Sequence, residues 1–443
     1  TQGLCPPHHG LKFSRCVLTS LAPAYFLSEI GDLMDVSHPH RKDEPPDSGA
    51  ERPVAPQPSS GGLRNDIAVL AAVISGITGV GAALSLSLPL LSVVLDQRGV
   101  SPTLVGINTA TAGIAAIAVL PFVTGIAKQF GTARVIIASF VTMAITLMGF
   151  YYVESFALWF PLRFIFSSCV TIIFALTEFW INSLAPEHRR GLVVGIYTAF
   201  LSIGISIGPL ILAVVGTEGI LPFMIGSAVL LLAALPVVRV RNREPLLPDS
   251  GQRNLLRFVT LAPLALLAGL VFGAVESGGT AILPLYGTAI GLTSGHAVIL
   301  VSAIAAGNVL SQIPIGYLAD RVNRRLLLIA CAIVGACGAA LMPVVSANYT
   351  ALLVVLFVTG GIVAGLYTIG LTHLGARYKG SDLASANAAF VLMYALGMLI
   401  GPVALGAGLD AAPPHGFAIA IAAIFSLYVL VALLRIGRKG FST

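Results

Sequence analysis

Charged residues are scarce in this sequence. Of its 443 residues only 10% are Asp, Glu, Lys or Arg, whereas an ordinary soluble domain contains roughly 25%. Hydrophobic residues make up 56% of the chain. A water-soluble fold is therefore excluded. The formal net charge of +6 could suggest nucleic-acid binding, but the basic residues are scattered between apolar runs and form no basic face.

Motifs for disulfides, nucleotides and zinc are also missing. The five cysteines include no CxxC pair, and Cys169, Cys331 and Cys337 lie in apolar segments, where small buried thiols are common. The sequence has no GxxxxGK(S/T) motif for phosphate binding and no HExxH motif for zinc. We therefore expect no metal, no cofactor and no enzymatic activity, and ATP-driven pumping and zinc proteolysis have no support.

Long apolar runs fill most of the chain. A helix that crosses the hydrocarbon core needs about 20 apolar residues, and the stretch from Ile67 to Ile436 has room for about twelve such helices. Backbone amides in lipid must bond within their own segment, and the alternating pattern of a membrane barrel is absent. The sequence therefore predicts an all-α membrane protein of twelve transmembrane helices. The predicted spans are 67–95, 102–124, 135–153, 156–183, 191–215, 219–238, 258–286, 296–315, 326–345, 350–374, 383–407 and 416–435.

Polar segments divide the chain into domains. Residues 1–63 are polar and proline-rich, which predicts a disordered tail, and the polar leader that opens at Met34 suggests the hypothesis that natural translation starts there. Residues 239–257 form a polar linker between residues 64–238 and residues 258–437, which we predict to be two six-helix bundles. Residues 438–443 form a short C-terminal tail.

The basic residues of the loops predict the orientation of the chain. Nearly all loop lysines and arginines fall on one side of the predicted spans, and the other side offers only Arg98. By the positive-inside rule, both termini and the central linker are cytoplasmic. We expect a multi-pass monomer in the lipid bilayer of the cell inner (plasma) membrane.

The second half of the sequence repeats the first. The segment Gly204-Ile-Ser-Ile-Gly208-Pro209 reappears as Gly397-Met-Leu-Ile-Gly401-Pro402, an offset of 193 residues (397 minus 204). Leu88-Pro89-Leu90 is echoed by Leu283-Pro284-Leu285 at an offset of 195 (283 minus 88). An offset that covers six spans preserves the membrane orientation, so the halves should be parallel repeats with a binding site at their midplane interface.

A loop in the second half resembles a family signature. The segment Gly316-Tyr-Leu-Ala-Asp320-Arg321-Val-Asn323-Arg324-Arg325 resembles the pattern Gly-x-Leu-Ala-Asp-Arg-x-Gly-Arg-Arg of the major facilitator superfamily, except that Asn323 replaces the second Gly. The resemblance implies the twelve-helix facilitator fold, alternating access and a cytoplasmic gate. In that gate Gly316 would allow close helix approach, and Asp320 would pair with arginines or cap a neighbouring helix N-terminus. An ordinary basic loop that sets topology is the alternative.

The first-half counterpart of this loop has Lys128 where the family has Asp, which argues against a symmetric latch. The segment Gly204, Gly208 and Pro209 resembles the antiporter motif of the superfamily, and Gly397, Gly401 and Pro402 repeat it. Small residues one turn apart let helix backbones approach, and proline bends a helix. We interpret both segments as gating hinges and tight seams, with plain helix packing as the alternative.

Three ionisable residues, Glu276, Arg163 and Glu178, fall inside predicted spans. A charge at this depth costs at least a few kcal/mol unless it faces a cavity or a partner, so these residues are the candidate site. Arg163 resembles the buried arginine of the superfamily's fourth helix, and the spacing puts it within roughly 60° of Glu178 on one helix face. That stripe could line the central cavity, with Arg163 binding an anionic group or tuning a carboxylate.

The roles of the two carboxylates remain open. Glu276, near the middle of the seventh span, could carry a proton, contact the solute or form a static ion pair. Glu178 lies nearer the cytoplasmic end of the fourth span and reads as a structural or helix-end residue.

The leading hypothesis is a secondary transporter that moves a small solute by proton-coupled efflux through alternating access. Its partners would be the solute, protons and the lipid bilayer, without nucleic acid. Uptake of a sugar or organic anion, with Arg163 as the anion contact, is one alternative. A non-transporting membrane scaffold or sensor with the same fold is the other.

The predicted orientation can be tested with epitope tags at the two chain ends. Because the number of spans is even, both tags should react with antibody only after the cells are permeabilised. A control tag beside Arg98 should react in intact cells. Ends on opposite faces of the membrane would contradict the predicted number of spans.

Overall fold

The computed structural model describes residues 60–184, 190–244, 261–378 and 380–439. The chain separates into two units, Thr1–Ala72 and Val73–Thr443, and the described part of the first unit is the start of one helix. Nearly all of the predicted tail, including the hypothesis on Met34, lies outside the described residues. The same holds for the predicted linker beyond Glu244.

The described ranges contain twelve α-helices and no strand. The helices are α1 (Ser60–Gln97), α2 (Pro102–Phe130), α3 (Thr132–Tyr152), α4 (Phe156–Leu184), α5 (Arg190–Val215), α6 (Leu221–Arg239), α7 (Pro263–Ala289), α8 (Ser294–Arg321), α9 (Arg324–Val345), α10 (Tyr349–Arg377), α11 (Gly380–Ala411) and α12 (Gly416–Lys439). Eleven of them hold a stretch long and apolar enough to cross a membrane, and α5 contributes a shorter one, Ala199–Val215. The predicted all-α membrane fold is confirmed.

Short polar residues fix where several helices begin. The side chains of Ser101, Thr293 and Asn348 accept hydrogen bonds from backbone amides in the first turns of α2, α8 and α10. These amides have no partner within the helix, so a side-chain oxygen stabilises the helix end. Pro102 and Pro263 occupy the first turns of α2 and α7, where a missing amide hydrogen costs nothing.

The connection between α2 and α3 is the single residue Gly131, whose φ is 92°. Residues with a side chain rarely adopt this conformation, so glycine is required here. The amide of Thr132, the first residue of α3, donates a 2.7 Å hydrogen bond to Glu244 Oε2. A helix N-terminus favours a carboxylate. Glu244, in the predicted linker, is therefore held against the loop in which Lys128 replaces the expected Asp.

Glycines of α5 bring its backbone against α1. A Cβ atom on Gly204 would overlap the carbonyl group of Thr78, and one on Gly208 would overlap the carbonyl oxygen of Ala82 and the Ser85 hydroxyl. A side chain at either position would push the two helices apart. Lipid provides no hydrophobic drive for helix association, so this close van der Waals packing is what holds the pair together.

The same contact recurs between α11 and α7. A Cβ atom on Gly397 would overlap the carbonyl oxygen of Leu270, and one on Gly401 would overlap Ala274. The pairs α1/α5 and α7/α11 are therefore equivalent, as the predicted repeat requires. The prolines that follow, Pro209 and Pro402, are buried. The glycines of both motifs thus pack within their own helix set, α1–α6 for the first and α7–α12 for the second, whereas the action of the motifs as hinges stays a prediction.

The substitution Gly401→Leu should lower the melting temperature of the purified protein in detergent. The added side chain has no room against α7, and overpacking typically costs about 1–3 kcal/mol. Gly125→Leu is the matched control, because a Cβ atom at Gly125 meets no described atom within 4 Å. Equal melting temperatures for the two variants would contradict the close α7–α11 contact.

Candidate functional site

A carboxylate and a tyrosine pair between α7 and α11. Tyr394 Oη donates a 2.6 Å hydrogen bond to Glu276 Oε2. Both side chains are half-buried. A Cβ atom on Gly273, one turn before Glu276, would overlap the backbone and ring of Tyr394. The glycine therefore lets α11 approach α7 closely enough for the hydroxyl group to reach the carboxylate.

Three further aromatic rings form a cluster with the Tyr394 ring of this pair. Phe272 stacks on Tyr394 with ring centroids 6.2 Å apart, and Tyr367 contacts Tyr394 edge-on at 5.8 Å. Tyr367 also contacts Phe272 at 5.6 Å and Phe390 at 5.2 Å. Offset and edge-on ring pairs are more stable than the burial of their apolar surface alone would give, so they favour one arrangement of the rings. The cluster therefore holds the tyrosine hydroxyl in place beside Glu276.

Glu276 lines a cavity of about 120 Å³, and most of the residues of its wall belong to the second half of the chain. The cavity also touches Ser85 of α1 and Ile205 of α5, so residues of both halves contribute to its wall. Most of the lining is apolar, including Phe417 and Phe425. Of the described residues that line it, Glu276 alone is ionisable. An apolar cavity with one carboxylate suits a small, largely apolar ligand better than a highly hydroxylated one.

A short polar row extends from the cavity wall. Gln312 Nε2 donates a 2.6 Å hydrogen bond to Asn308 Oδ1, and Thr368 Oγ1 donates a 2.9 Å bond to Gln312 Oε1. Asn308 lines the cavity. Because these groups satisfy one another between α8 and α10, they fix the orientation of the cavity wall.

Glu178 lies in α4 with an exposed side chain. Its carboxylate is close enough to Tyr197 of α5 and Tyr367 of α10 to interact electrostatically with their hydroxyl groups. Tyr367 interacts in the same way with Glu276, so its hydroxyl group is within electrostatic range of both carboxylates. Glu178 therefore lies within electrostatic range of tyrosines near Glu276, and its predicted role at the site stays a prediction.

Arg163 lies apart from this group. Its side chain is 1% exposed, its Nε donates a 3.2 Å hydrogen bond to Asn108 Oδ1 of α2, and its guanidinium carbon is 5.8 Å from the centre of the Phe150 ring of α3. Its two terminal nitrogens have no hydrogen-bond partner among the described residues. Arg163 does not line the cavity at Glu276. Its predicted contact with an anion or a carboxylate stays a prediction.

The signature loop connects α8 to α9. Asn323 replaces the expected Gly and caps α9, accepting a 3.0 Å hydrogen bond from the amide of Arg325. Arg324 Nε donates to the carbonyl oxygen of Ala319 at 3.1 Å, and the Arg321 guanidinium lies 3.9 Å from the Tyr317 ring centre. The local geometry of the loop is thus set by its own residues.

Two expectations for this loop concern Gly316 and Asp320. A Cβ atom on Gly316 would meet no described atom within 4 Å, so the described residues show no close contact at this glycine, and the predicted close helix approach stays a prediction. The side chain of Asp320 lies outside the described part of the chain, and its pairing with arginines stays a prediction.

The two halves meet along a seam between α2 and α11. Cβ atoms on Gly106 and Gly406 would overlap the backbones of Pro402 and Pro102, and one on Gly113 would overlap α11 at Leu399. The seam thus runs from the start of α2 to its middle with backbone against backbone.

One end of this seam is closed by Asp410. Its Oδ2 accepts hydrogen bonds from the amide of Thr103, at 2.8 Å, and from the Thr103 hydroxyl group. Beyond Gly113 the exposure of α2 increases, and Phe122 is 65% exposed. The tight contact is therefore confined to the end that carries Thr103 and Asp410, opposite the basic loops.

The sequence profile of the Major Facilitator Superfamily matches residues 73–308 and 265–441, which together cover most of the chain. The chain belongs to the Major Facilitator Superfamily. It is 24% identical over 332 residues to the uncharacterized MFS-type transporter YfkF of Bacillus subtilis (strain 168), covering 74% of this chain and 85% of that one. Over 281 residues it is 24% identical to the uncharacterized MFS-type transporter YcaD of Escherichia coli, covering 63% of this chain and 72% of that one.

Solved structures of superfamily transporters have the same fold. The nucleoside transporter NupG superposes with a TM-score of 0.65 at 16% identity, covering 84% of this chain and 98% of that one. A bacterial homologue of the human lysosomal transporter Spinster, inward-facing and unoccupied, gives 0.66 at 14% identity, covering 86% and 99%. The D-xylose–proton symporter gives 0.65 at 16%, covering 83% and 96%. At these low sequence identities the structural similarity shows that the fold is shared, and it does not extend to the substrate.

Opening of the α2–α11 seam should be easier in the variant Asp410→Ala. Loss of the carboxylate leaves the amide at the start of α2 without its partner across the seam. Access to the cavity can be measured with the substitution Gly279→Cys in a protein whose native cysteines are replaced by serine. Gly279 lines the cavity, and a Cβ atom there meets no described atom within 4 Å. A membrane-impermeant maleimide added from the Asp410 side should label this cysteine several times faster.

Glu154→Ala is the matched control, because Glu154 is an exposed carboxylate in the loop between α3 and α4. It should leave the labelling rate of the Gly279→Cys reporter unchanged. A rate that is the same with and without Asp410 would show that this carboxylate does not hold the seam.

Proposed function

We propose that this member of the Major Facilitator Superfamily is a proton-coupled secondary transporter that exports a small solute, with Glu276 as the proton-carrying carboxylate. The observation that carries the proposal is the setting of Glu276, in a mostly apolar cavity with a hydrogen bond from Tyr394. No described Lys, Arg or His forms an ion pair with it. An ionised carboxylate without a counter-charge is costly in such surroundings, so it is readily neutralised by a proton or by a cationic solute.

Alternation between these two states gives a coupling mechanism. When Glu276 holds a proton, the cavity is neutral and the two halves can rock without carrying a bare charge through the membrane. When the proton leaves, the carboxylate retains the hydrogen bond from Tyr394 and becomes available to the solute. Solute and proton would then compete for one group, and this competition exchanges them in opposite directions.

The apolar cavity lining with its single carboxylate favours a small solute that has an apolar body and one cationic group. Export is supported by the resemblance of Gly204, Gly208 and Pro209 to the antiporter motif of the superfamily. The alternative of sugar or organic-anion uptake is less favoured, since Arg163 packs against Asn108 and Phe150 and does not line the cavity. The alternative of a non-transporting scaffold gains no support from the geometry. We place the chain in the plasma membrane with cytoplasmic termini, following the distribution of basic residues.

The test uses the variant Glu276→Gln in proteoliposomes, with a solute first found by thermal-shift screening of a ligand library. Glutamine keeps the size of the side chain and can still accept the hydrogen bond from Tyr394, but it cannot release a proton. Transport driven by a pH gradient should fall to the level of empty liposomes. Exchange of labelled for unlabelled solute, which needs no net proton movement, should persist.

Glu218→Gln is the matched control, because Glu218 is an exposed carboxylate in the connection between α5 and α6 and should leave both activities intact. Unchanged pH-driven transport in Glu276→Gln would remove the proton assignment. Loss of exchange together with pH-driven transport would instead show that the solute cannot bind without the carboxylate, and the proton-carrying role of Glu276 would then have no support.

A further inference from the structure

A second, larger cavity opens on the first helix set. It has a volume of about 450 Å³, which lies within the range of about 300–1,000 Å³ that is usual for small-ligand sites. Residues at the end of α2 and along the first half of α3 form its walls, and Cys169 of α4 lies at its floor. None of the residues of the Glu276 cavity takes part, so this groove is separate from the proposed transport site.

Small side chains create the groove. Ser139 and Cys169 are buried at its floor, while Ala138 and Phe130 are exposed at its rim. The Ser139 hydroxyl group donates a 2.8 Å hydrogen bond to the carbonyl oxygen of Val135 in its own helix. The floor therefore offers hydrocarbon and a satisfied hydroxyl group, and an apolar chain fits it better than a polar solute.

A cation lies at one end of this groove. Arg134 is the third residue of α3, and its side chain is exposed. It makes no hydrogen bond or ion pair with any residue that the structure describes. The nearby carboxylate of Glu244 accepts the hydrogen bond of the Thr132 amide, and a second basic residue, Lys128, lies in the last turn of α2. The mouth of the groove thus suits an anion.

The direction of the groove matches the membrane. Thr142, at the far end, follows Arg134 by eight residues (142 minus 134), which is about 12 Å along a helix. Arg134 lies at the start of a membrane-spanning helix, where a headgroup would be, and Thr142 lies at the depth of acyl chains. Basic pockets between helices on the basic side of a membrane protein bind anionic lipid headgroups.

We propose that this groove is a binding site for an anionic phospholipid, with the lipid phosphate on Arg134 and one acyl chain lying over Ala138 and Ser139 toward Thr142. The lipid would fill the space between α2 and α3 and contact α4 at Cys169. Occupancy would therefore stabilise the first helix set independently of any solute or proton.

The experiment titrates the full-length protein in detergent with phosphatidylglycerol or with phosphatidylcholine of the same acyl chains and follows the melting temperature. Phosphatidylglycerol should give the larger stabilisation. Arg134→Gln should reduce its effect to that of phosphatidylcholine, because the attraction between the Arg134 cation and the net negative charge of the phosphatidylglycerol headgroup is lost. Ala138→Trp should abolish the effect of both lipids, because the indole ring fills the groove.

Arg435→Gln and Ala340→Trp are the matched controls, since both residues are exposed and lie outside the groove. They should keep the stabilisation seen with the unmodified protein. If the controls lose it to the same extent, the lipid acts through general charge or surface contact and the proposal is overturned. It is likewise overturned if Arg134→Gln and Ala138→Trp respond to phosphatidylglycerol as the unmodified protein does.

A labelling measurement covers the case in which Ala138→Trp does not fold. In a protein that retains Cys169 while the other cysteines are replaced by serine, phosphatidylglycerol should slow the reaction of Cys169 with N-ethylmaleimide at concentrations where phosphatidylcholine does not. Protection should disappear in Arg134→Gln. An equal labelling rate with and without phosphatidylglycerol would contradict occupancy of the groove.

Discussion

The close approach of helix backbones at glycine is the constraint on which the rest of this structure depends. Water drives apolar helices together in soluble proteins, but lipid tails do not, so association in the membrane relies on packing at short range. The glycines of α5 against α1 and of α11 against α7 meet this need in both halves. The hydrogen bond between Tyr394 and Glu276 is a product of the second contact, because a wider helix spacing would leave the carboxylate without a partner.

The helices themselves follow closely from local sequence. Apolar length, capping residues such as Ser101 and Asn348, and proline in the first turn specify where a helix lies, and each acts within a few residues. Hydropathy also reveals Glu276 and Arg163 as buried charges. It does not reveal the rotation of a helix relative to its neighbours, because lipid-facing and protein-facing positions are similarly apolar. The pairing of Glu276 with Tyr394, and of Arg163 with Asn108, could therefore not be predicted.

The seam between the halves was missed for a related reason. Gly106 and Gly113 lie on one face of α2. Small residues are frequent throughout the chain, however, and a glycine does not indicate which helix it will contact. The sequence signal that could have found the seam is this seven-residue spacing of two glycines on α2. The repeated glycine motif was interpreted as a hinge, but the contacts of its glycines lie within each half. The two repeats thus share the same helix packing, but they differ in their buried ionisable residue, which is Arg163 in the first half and Glu276 in the second.

The contact of Asp410 with Thr103 has a consequence for the kinetics of the molecule. The carboxylate is exposed, so water can replace both hydrogen bonds as the helices part, and the net loss for such an exchange is about 1 kcal/mol per bond. The hydrogen bonds of Asp410 therefore contribute little to the free energy needed to open the seam. Most of the free-energy barrier to opening must come from separating the closely packed helix backbones at the glycines. These backbone contacts are lost together when the helices move apart. Such a boundary opens as a single thermally activated step rather than by gradual fraying.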